Sequence, residues 1–382
     1  MPHAPSPAKD LASSDRGLAS LPKADLHLHL EGAMRPGTVA DLASTYAEPP
    51  LQVGCYRSFD EFQHCYRAVV KLIRTRSDLR RLVREVVQDA AASGAVWIEP
   101  HFNPTTYAPA LGSAQDVLDL VLDTGTAAGQ TTGVGFGLTL SASRNRDPKD
   151  ATVLARLAAD YADHGVVAFG LTGDEAATPA EAFSEAFAIA RGAGLISAPH
   201  AGELMGGSSI RSTLGALSPD RIAHGVRAVE HPALMERLAD ERITLDVCLT
   251  SNRVLGVVKH IEEHPLRHLL DSGVPCSLGS DDPLLLKTSL LTEYQTARTH
   301  LSMTDRHLAT LAGTSIRSSG APADLIARAL TGIKDWLQRN ITERAEEFTD
   351  LRRRTDGMAG IEQYANMPHR RQPASTNGTG SD

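Results

Sequence analysis

Two histidines one residue apart, His27 and His29 in "LHLHLEGA", are the first residues whose types and spacing could do chemistry. The i, i+2 spacing places both imidazoles on one face of a strand. Farther along stand His200 and Glu203 in "PHAGE", His224 in "RIAHG", and the pair Asp281 and Asp282 in "GSDDP". Neutral imidazoles joined by a carboxylate suit a borderline metal such as Zn²⁺, with positions left open for water. Water bound to such an ion ionises near neutral pH and becomes a nucleophile. Glu203, three residues beyond His200, is placed to reach a substrate on the same metal and suits a general acid/base.

Residues spread over more than two hundred positions need a fold that brings them to one place. Short apolar runs alternate with helical patterns through most of the chain. The expected strands are 24–28, 95–101, 134–140, 166–171, 195–200, 221–225, 243–249 and 275–280, with helical periodicity over 79–94, 114–129 and 179–194. Eight strand–helix units over roughly 250 residues predict an α/β fold of the (β/α)8 TIM-barrel type. An open doubly wound sheet is the competitor, but no strand is followed by a GxGxxG loop. Every candidate above falls at the C-terminal end of an expected strand, and in a barrel those ends form one rim. Extra helices are expected after strand 1, over 58–88, as a natural lid. More are expected between about 288 and 358, closing the barrel.

The chain has 382 residues, a net charge of −8 and 42% hydrophobic residues. That supports a large core, and one domain over 21–366 is the simpler reading. Segments 1–20 and 367–382 are rich in Pro, Ser, Gly and Ala and read as disordered tails. The acidic balance gives no footprint for a nucleic-acid polymer. No run approaches the roughly 18–20 apolar residues that span a membrane, and the start lacks the apolar core of a secretory signal. Four cysteines, at 55, 65, 248 and 276, form no CxxC pair, so a reducing cytoplasm is expected. Oligomeric state is not legible.

"LHLHLEGA", "GDE" (173–175), "HAGE", "RIAHG" and "SLGSDDP" occur in the order and spacing of the adenosine deaminase family of zinc amidohydrolases. The resemblance runs from about Leu21 to Leu290 and more loosely to Met358. It implies one Zn²⁺ per chain, held by His27, His29, His200 and Asp281. It implies Glu203 as the proton shuttle to purine N1, and His224 as the histidine that orients the metal-bound water and steadies charge. Asp282 would bond N7, the Gly173 N–H would meet N3, and Glu31 would face the ribose 5′-hydroxyl. The implied substrate is a small purine nucleoside, adenosine or 2′-deoxyadenosine, deaminated at C6. Adenine or a 5′- or N6-modified adenosine is the alternative, and a catalytically silent purine-binding relative is the reading from another class. The cytidine-deaminase type of zinc site is excluded, because no second Cys completes a PCxxC after Pro275–Cys276.

Plainer roles stand beside these. Asp281–Asp282 before Pro283 could form only a turn or a helix cap. Asp25 reads as a strand-start residue or a support behind the ligands, and Cys248 as a small buried apolar group. His101, His231, His260, His264 and His268 have no motif context and read as surface or helix-end residues. Phe59 and Phe62 could wall a pocket. Three positions depart from the family's commonest pattern: "CLTSN" lacks its proline, His101 stands where Arg is usual, and Gly279 stands where Asn is frequent.

Overall fold

The computed structural model describes residues 17–338 except 55. The chain divides into two compact units, Met1–Leu337 and Gln338–Asp382, and of the second only Gln338 is described. The expected tail at 367–382, the outer part of the tail at 1–20 and the expected domain end at 366 therefore lie outside the described residues. The inner end of the N-terminal tail differs from expectation: Leu18–Ser20 form a 3-10 turn and Leu18 is buried. Its carbonyl accepts the Leu21 N–H at 3.3 Å and also the buried Lys23 side chain, whose Nζ donates at 2.8 Å.

Among the described residues ten strands carry the fold: β1 (Lys23–Asp25), β2 (Ala95–Ile98), β3 (His101–Phe102), β4 (Gly135–Phe136), β5 (Leu138–Ser143), β6 (Val166–Thr172), β7 (Ile196–Ala201), β8 (Arg221–His224), β9 (Thr244–Val247) and β10 (Cys276–Leu278). They correspond to the eight expected strands, two of them interrupted. Pro100 has no N–H to give to a ladder, so the second strand breaks into β2 and β3. All pairings are parallel, in a three-stranded sheet β1-β2-β4 and a seven-stranded sheet β10-β9-β8-β7-β6-β5-β3. The segment after β1 bridges both edges of the larger sheet, Leu28 to Asp281 and His29 to His101. This is the (β/α)8 barrel the alternation predicts.

Strand 1 is shorter than expected, and His27 and His29 lie beyond its regular part. The ladder is nevertheless continued by single bonds, Asp281 N to His27 O at 2.7 Å and His29 N to Asp281 O at 2.8 Å. Gly279 explains how the two segments come so close. A Cβ there would stand 2.6 Å from the His27 Cβ, so the asparagine frequent in the family would not fit this backbone.

The insertion over 58–88 is two helices, Phe59–Val70, capped by Ser58, and Arg76–Ala92, which opens on a Thr75–Asp78 capping box. The first turns Phe59, Phe62 and Tyr66 to the cavity; the second packs on β2 as the crossover. Beyond β10, helix Asp305–Arg317 packs against β1 and β10, across the seam. No helix among the described residues is long and apolar enough to cross a membrane.

Candidate active site

The strand ends meet as expected. His27, His29 and His200 offer ligand atoms that lie within 4.8 Å of one another. The Asp281 carboxylate faces them: Oδ1 is 3.3 Å from His29 Nε2 and 3.6 Å from His27 Nε2, and Oδ2 is 3.9 Å from His224 Nε2. Both His224 and Asp281 adopt left-handed backbone, φ 66° and 57°. That conformation is costly for residues with a Cβ, and it clusters where a side chain must be re-aimed at a site.

These residues fit a cation. His27 Nδ1 sits 3.0 Å from the Asp246 carbonyl, which can only accept, so that nitrogen carries the proton. The lone pair is left on Nε2, which is buried with no hydrogen-bond partner. Burial pushes His27, His200 and His101 down, keeping them neutral donors of electron pairs. Burial also opposes charge on His29, yet Asp282, Asp281 and Glu31 draw it up to about 9. The cluster thus attracts positive charge at the point where the imidazoles converge. For Asp281, burial works upward, but the imidazoles of His27, His29 and His224 hold it well below the usual carboxylate range. A second possible set replaces two histidines with His224 and Cys248. Cys248 does sit beside His27, its Sγ 3.3 Å from Nδ1, but burial pushes its thiol far up and away from the thiolate a metal needs.

Glu203 and Asp282 border the same space. Burial, reinforced by Asp281 and Glu175, pushes the Glu203 carboxyl well above its ordinary range, so it holds a proton. Asp282 is raised chiefly by burial, with Asp281 adding to it. Glu203 Oε1 lies 3.5 Å from His224 Nε2. The loop carrying Glu203 is pinned from below by Glu175, which accepts from the backbone N–H of Gly202, Glu203, Leu204 and Met205 and from the Ser209 hydroxyl. Gly173, in the same "GDE" motif, lines the cavity at φ +94°, and a Cβ there would meet Asn145 Oδ1 at 2.4 Å.

Glu31 is buried beside the mouth, with Oε1 accepting from the Tyr107 hydroxyl and Oε2 from Tyr66, both at 2.9 Å. It ties the helix Phe59–Val70 to the barrel. Asp25 stands behind the histidine–aspartate cluster, its carboxylate holding the Ser280 backbone and hydroxyl next to Asp281. Behind His27, Asp246 is gripped by Ser277 and by Arg221, which also pairs with Glu99 at 2.7 Å.

Two histidines expected at the surface are corrected. His101 lies on β3, 2% exposed, its ring centroid 5.2 Å from that of His29 and its Nδ1 2.7 Å from Ser141 Oγ. His264 is 4% exposed and reaches Asn252, which in turn contacts His224. Neither carries a spacing pattern, so the sequence offered no signal beyond the "SN" of "CLTSN" for Asn252. His231, His260 and His268 do not line the cavity.

The cavity above the cluster has a volume of about 700 Å³. His29, His200, Glu203, His224, Asp281 and Asp282 form its floor, Phe59, Phe62 and Tyr66 a wall, and Arg67, Lys71 and Arg146 its outer part.

Comparison with known proteins agrees with this arrangement. The sequence profile described as adenosine deaminase matches residues 22–336. A Streptomyces virginiae protein provisionally named adenosine/adenine deaminase is 46% identical over 333 residues, covering 84% of this chain and 98% of its own. The aminodeoxyfutalosine deaminase of Acidothermus cellulolyticus is 35% identical over 73% of this chain and 82% of its own. Among solved structures, an amidohydrolase from Burkholderia ambifaria with bound Zn superposes with a TM-score of 0.77 at 25% identity, over 88% of this chain and 97% of its own. The chain is a hydrolytic deaminase by kinship, and it belongs to the adenosine deaminase family.

Proposed function

We propose that this protein removes the 6-amino group of a purine nucleoside, adenosine or 2′-deoxyadenosine first, in a reaction that depends on one Zn²⁺. The observation that carries the reading is the cavity: it rises from the His–Asp cluster to about 700 Å³, within the range that encloses a drug-sized ligand and beyond the needs of a bare purine ring. His27, His29, His200 and Asp281 are the residues that would hold the metal. When bound, it would supply the acidified water that attacks C6.

The chain's own groups do the rest. A carboxyl that keeps its proton by burial can give it to a ring nitrogen, and Glu203 is such a group. Protonation at N1 makes C6 electrophilic and offsets the loss of aromaticity. At N7, a lone-pair acceptor, Asp282 donates in its protonated form, the form that burial favours and a charge on His29 opposes. The Gly173 N–H meets N3. Glu31 retains a lone pair on each oxygen beyond those its tyrosines use, and the ribose contact rests on these. A second reading has a specific support: Arg67, Lys71 and Arg146 in the outer cavity favour a 5′-extended or anionic adenosine, and one relative is named for aminodeoxyfutalosine.

A panel of adenine, adenosine, 2′-deoxyadenosine and 5′- or N6-modified adenosines, followed by release of ammonia, or of the substituted amine from the N6-modified members, and by loss of the 6-amino chromophore, tests this with metal content measured alongside. Glu203→Gln should keep the metal and lose most turnover. Metal-loaded protein that releases neither ammonia nor an amine from any of these would leave the silent binder.

A further inference from the structure

The imidazole of His224 has two ends, and the proton of the neutral ring can sit on either. What faces each end is settled by groups outside the cavity. Leu266 is the first residue of helix Leu266–Asp271, so its N–H has no partner within the helix. It donates to His264 Nδ1 at 3.1 Å. A backbone N–H cannot accept, so His264 Nδ1 holds the lone pair and its proton is on Nε2. Burial pulls His264 down to about 3, which keeps the ring neutral. That Nε2–H then donates to Asn252 Oδ1 at 3.0 Å. With its carbonyl committed there, Asn252 turns its amide NH₂ to His224 Nδ1, 3.3 Å away. The reverse orientation would set two donors, Asn252 NH₂ and His264 Nε2–H, against each other.

We infer that His264 and Asn252 are positioning residues that fix the proton of His224 on Nε2. His224 Nδ1 must accept, so the ring meets the floor of the cavity, Glu203 Oε1 at 3.5 Å and Asp281 Oδ2 at 3.9 Å, as a hydrogen-bond donor and not as a base. The three members are closed to water, at 4%, 0% and 1% exposure, so no solvent molecule competes for the roles. A single helix-terminal amide thereby sets the chemistry of a ring two side chains away.

The kinetic part of the test rests on the deaminase reading; the spectroscopic part does not. In ¹⁵N-histidine-labelled full-length protein, long-range ¹H–¹⁵N correlations report which ring nitrogen bears the proton, and a His224→Asn variant assigns the signals. The expected result is the Nε2–H form in the native protein and the Nδ1–H form in Asn252→Asp, whose carboxylate can only accept. An Nδ1–H ring in the native protein, or an unchanged tautomer in folded Asn252→Asp, overturns the inference. In turnover, His264→Leu should lower kcat roughly 100-fold with KM little changed, the scale of a misplaced proton-transfer group. His264→Gln, whose amide can accept from Leu266 and donate to Asn252, should recover most of it. Equal loss in both folded variants reduces His264 to packing and overturns the relay. Absence of turnover in the native protein would sink the functional reading and leave the tautomer result to decide this one.

Discussion

Replacing Glu175 by glutamine keeps the side chain's shape while removing its charge and one acceptor oxygen. In the native loop Oε2 receives the N–H groups of Glu203, Leu204 and Met205, at 3.2, 2.9 and 2.8 Å, while Oε1 receives Gly202 N and Ser209 Oγ. A glutamine that keeps its oxygen on the three amides turns its NH₂ toward Gly202 and Ser209. The serine hydroxyl can rotate and accept; the Gly202 N–H cannot. One stranded buried donor costs about 1–3 kcal/mol, and exchanging a charged for a neutral acceptor removes about 1 kcal/mol more. The sum is on the order of 3 kcal/mol. Unfolding entropy of about 2.1 cal/mol/K per residue over roughly 320 residues converts this to a melting point about 4 °C lower. Turnover should fall further than stability suggests, by about 100-fold, because Glu203, the proposed proton donor, rides on the loosened loop and small misplacements of such a group are amplified. Calorimetry and steady-state deamination on the same preparations read both. A Glu175→Gln protein that melts within a degree of the native one and keeps its kcat would refute the idea that this carboxylate holds the loop.

Arg221→Met should cost about 3–5 kcal/mol in urea unfolding, because Glu99 and Asp246 then remain as buried carboxylates without their cation; a loss under 1 kcal/mol would show that the pair is not needed. Asp281→Ala and His27→Ala should each lower metal content per chain after dialysis, and full stoichiometry in either removes that residue from the ligand set. Acid should weaken the fold through His264. Its folded value near 3 lies below the unfolded 6.5, so the unfolded chain alone binds the proton between these limits. Stability from this group is whole above pH 6.5 and falls as pH drops, by about 2 kcal/mol between pH 7 and pH 5. His264→Gln should flatten that slope in urea titrations at the two pH values, and an unaltered slope would place the acid sensitivity elsewhere.

The parts of the site that follow from local rules were legible in the chain. Period-2 alternation places His27 and His29 on one side, and strand ends followed by polar residues mark His200, His224 and Asp281. Such patterns survive in sequence because neighbours in the chain are neighbours in space. His101 and His264 lack that property: each is isolated in sequence, and only the barrel's closure brings them beside His29 and Asn252. Glu175 was visible within "GDE", but its partners lie about thirty residues on, and nothing local announces an anion beneath five donors. Strand 1 ends early because its last residues answer to two neighbours through single bridges, a tertiary condition that alternation does not encode. Glu31 was expected to face a ribose hydroxyl, and the two tyrosine hydroxyls that engage it come from residues 66 and 107, beyond any local signal.

The seam between Leu28 and Asp281 also sets an order of events in the cell. The two bridged residues are separated by roughly 250 positions, so the histidine pair emerges from the ribosome long before its carboxylate partner exists. At about 5–20 residues per second, the wait is on the order of 10–50 seconds. Until β10 emerges the first strand has no closing edge, and the imidazoles lack the Asp281 carboxylate to balance a cation. A nascent chain therefore lacks the complete cluster of His27, His29, His200 and Asp281, which forms only when the last strand closes on the first.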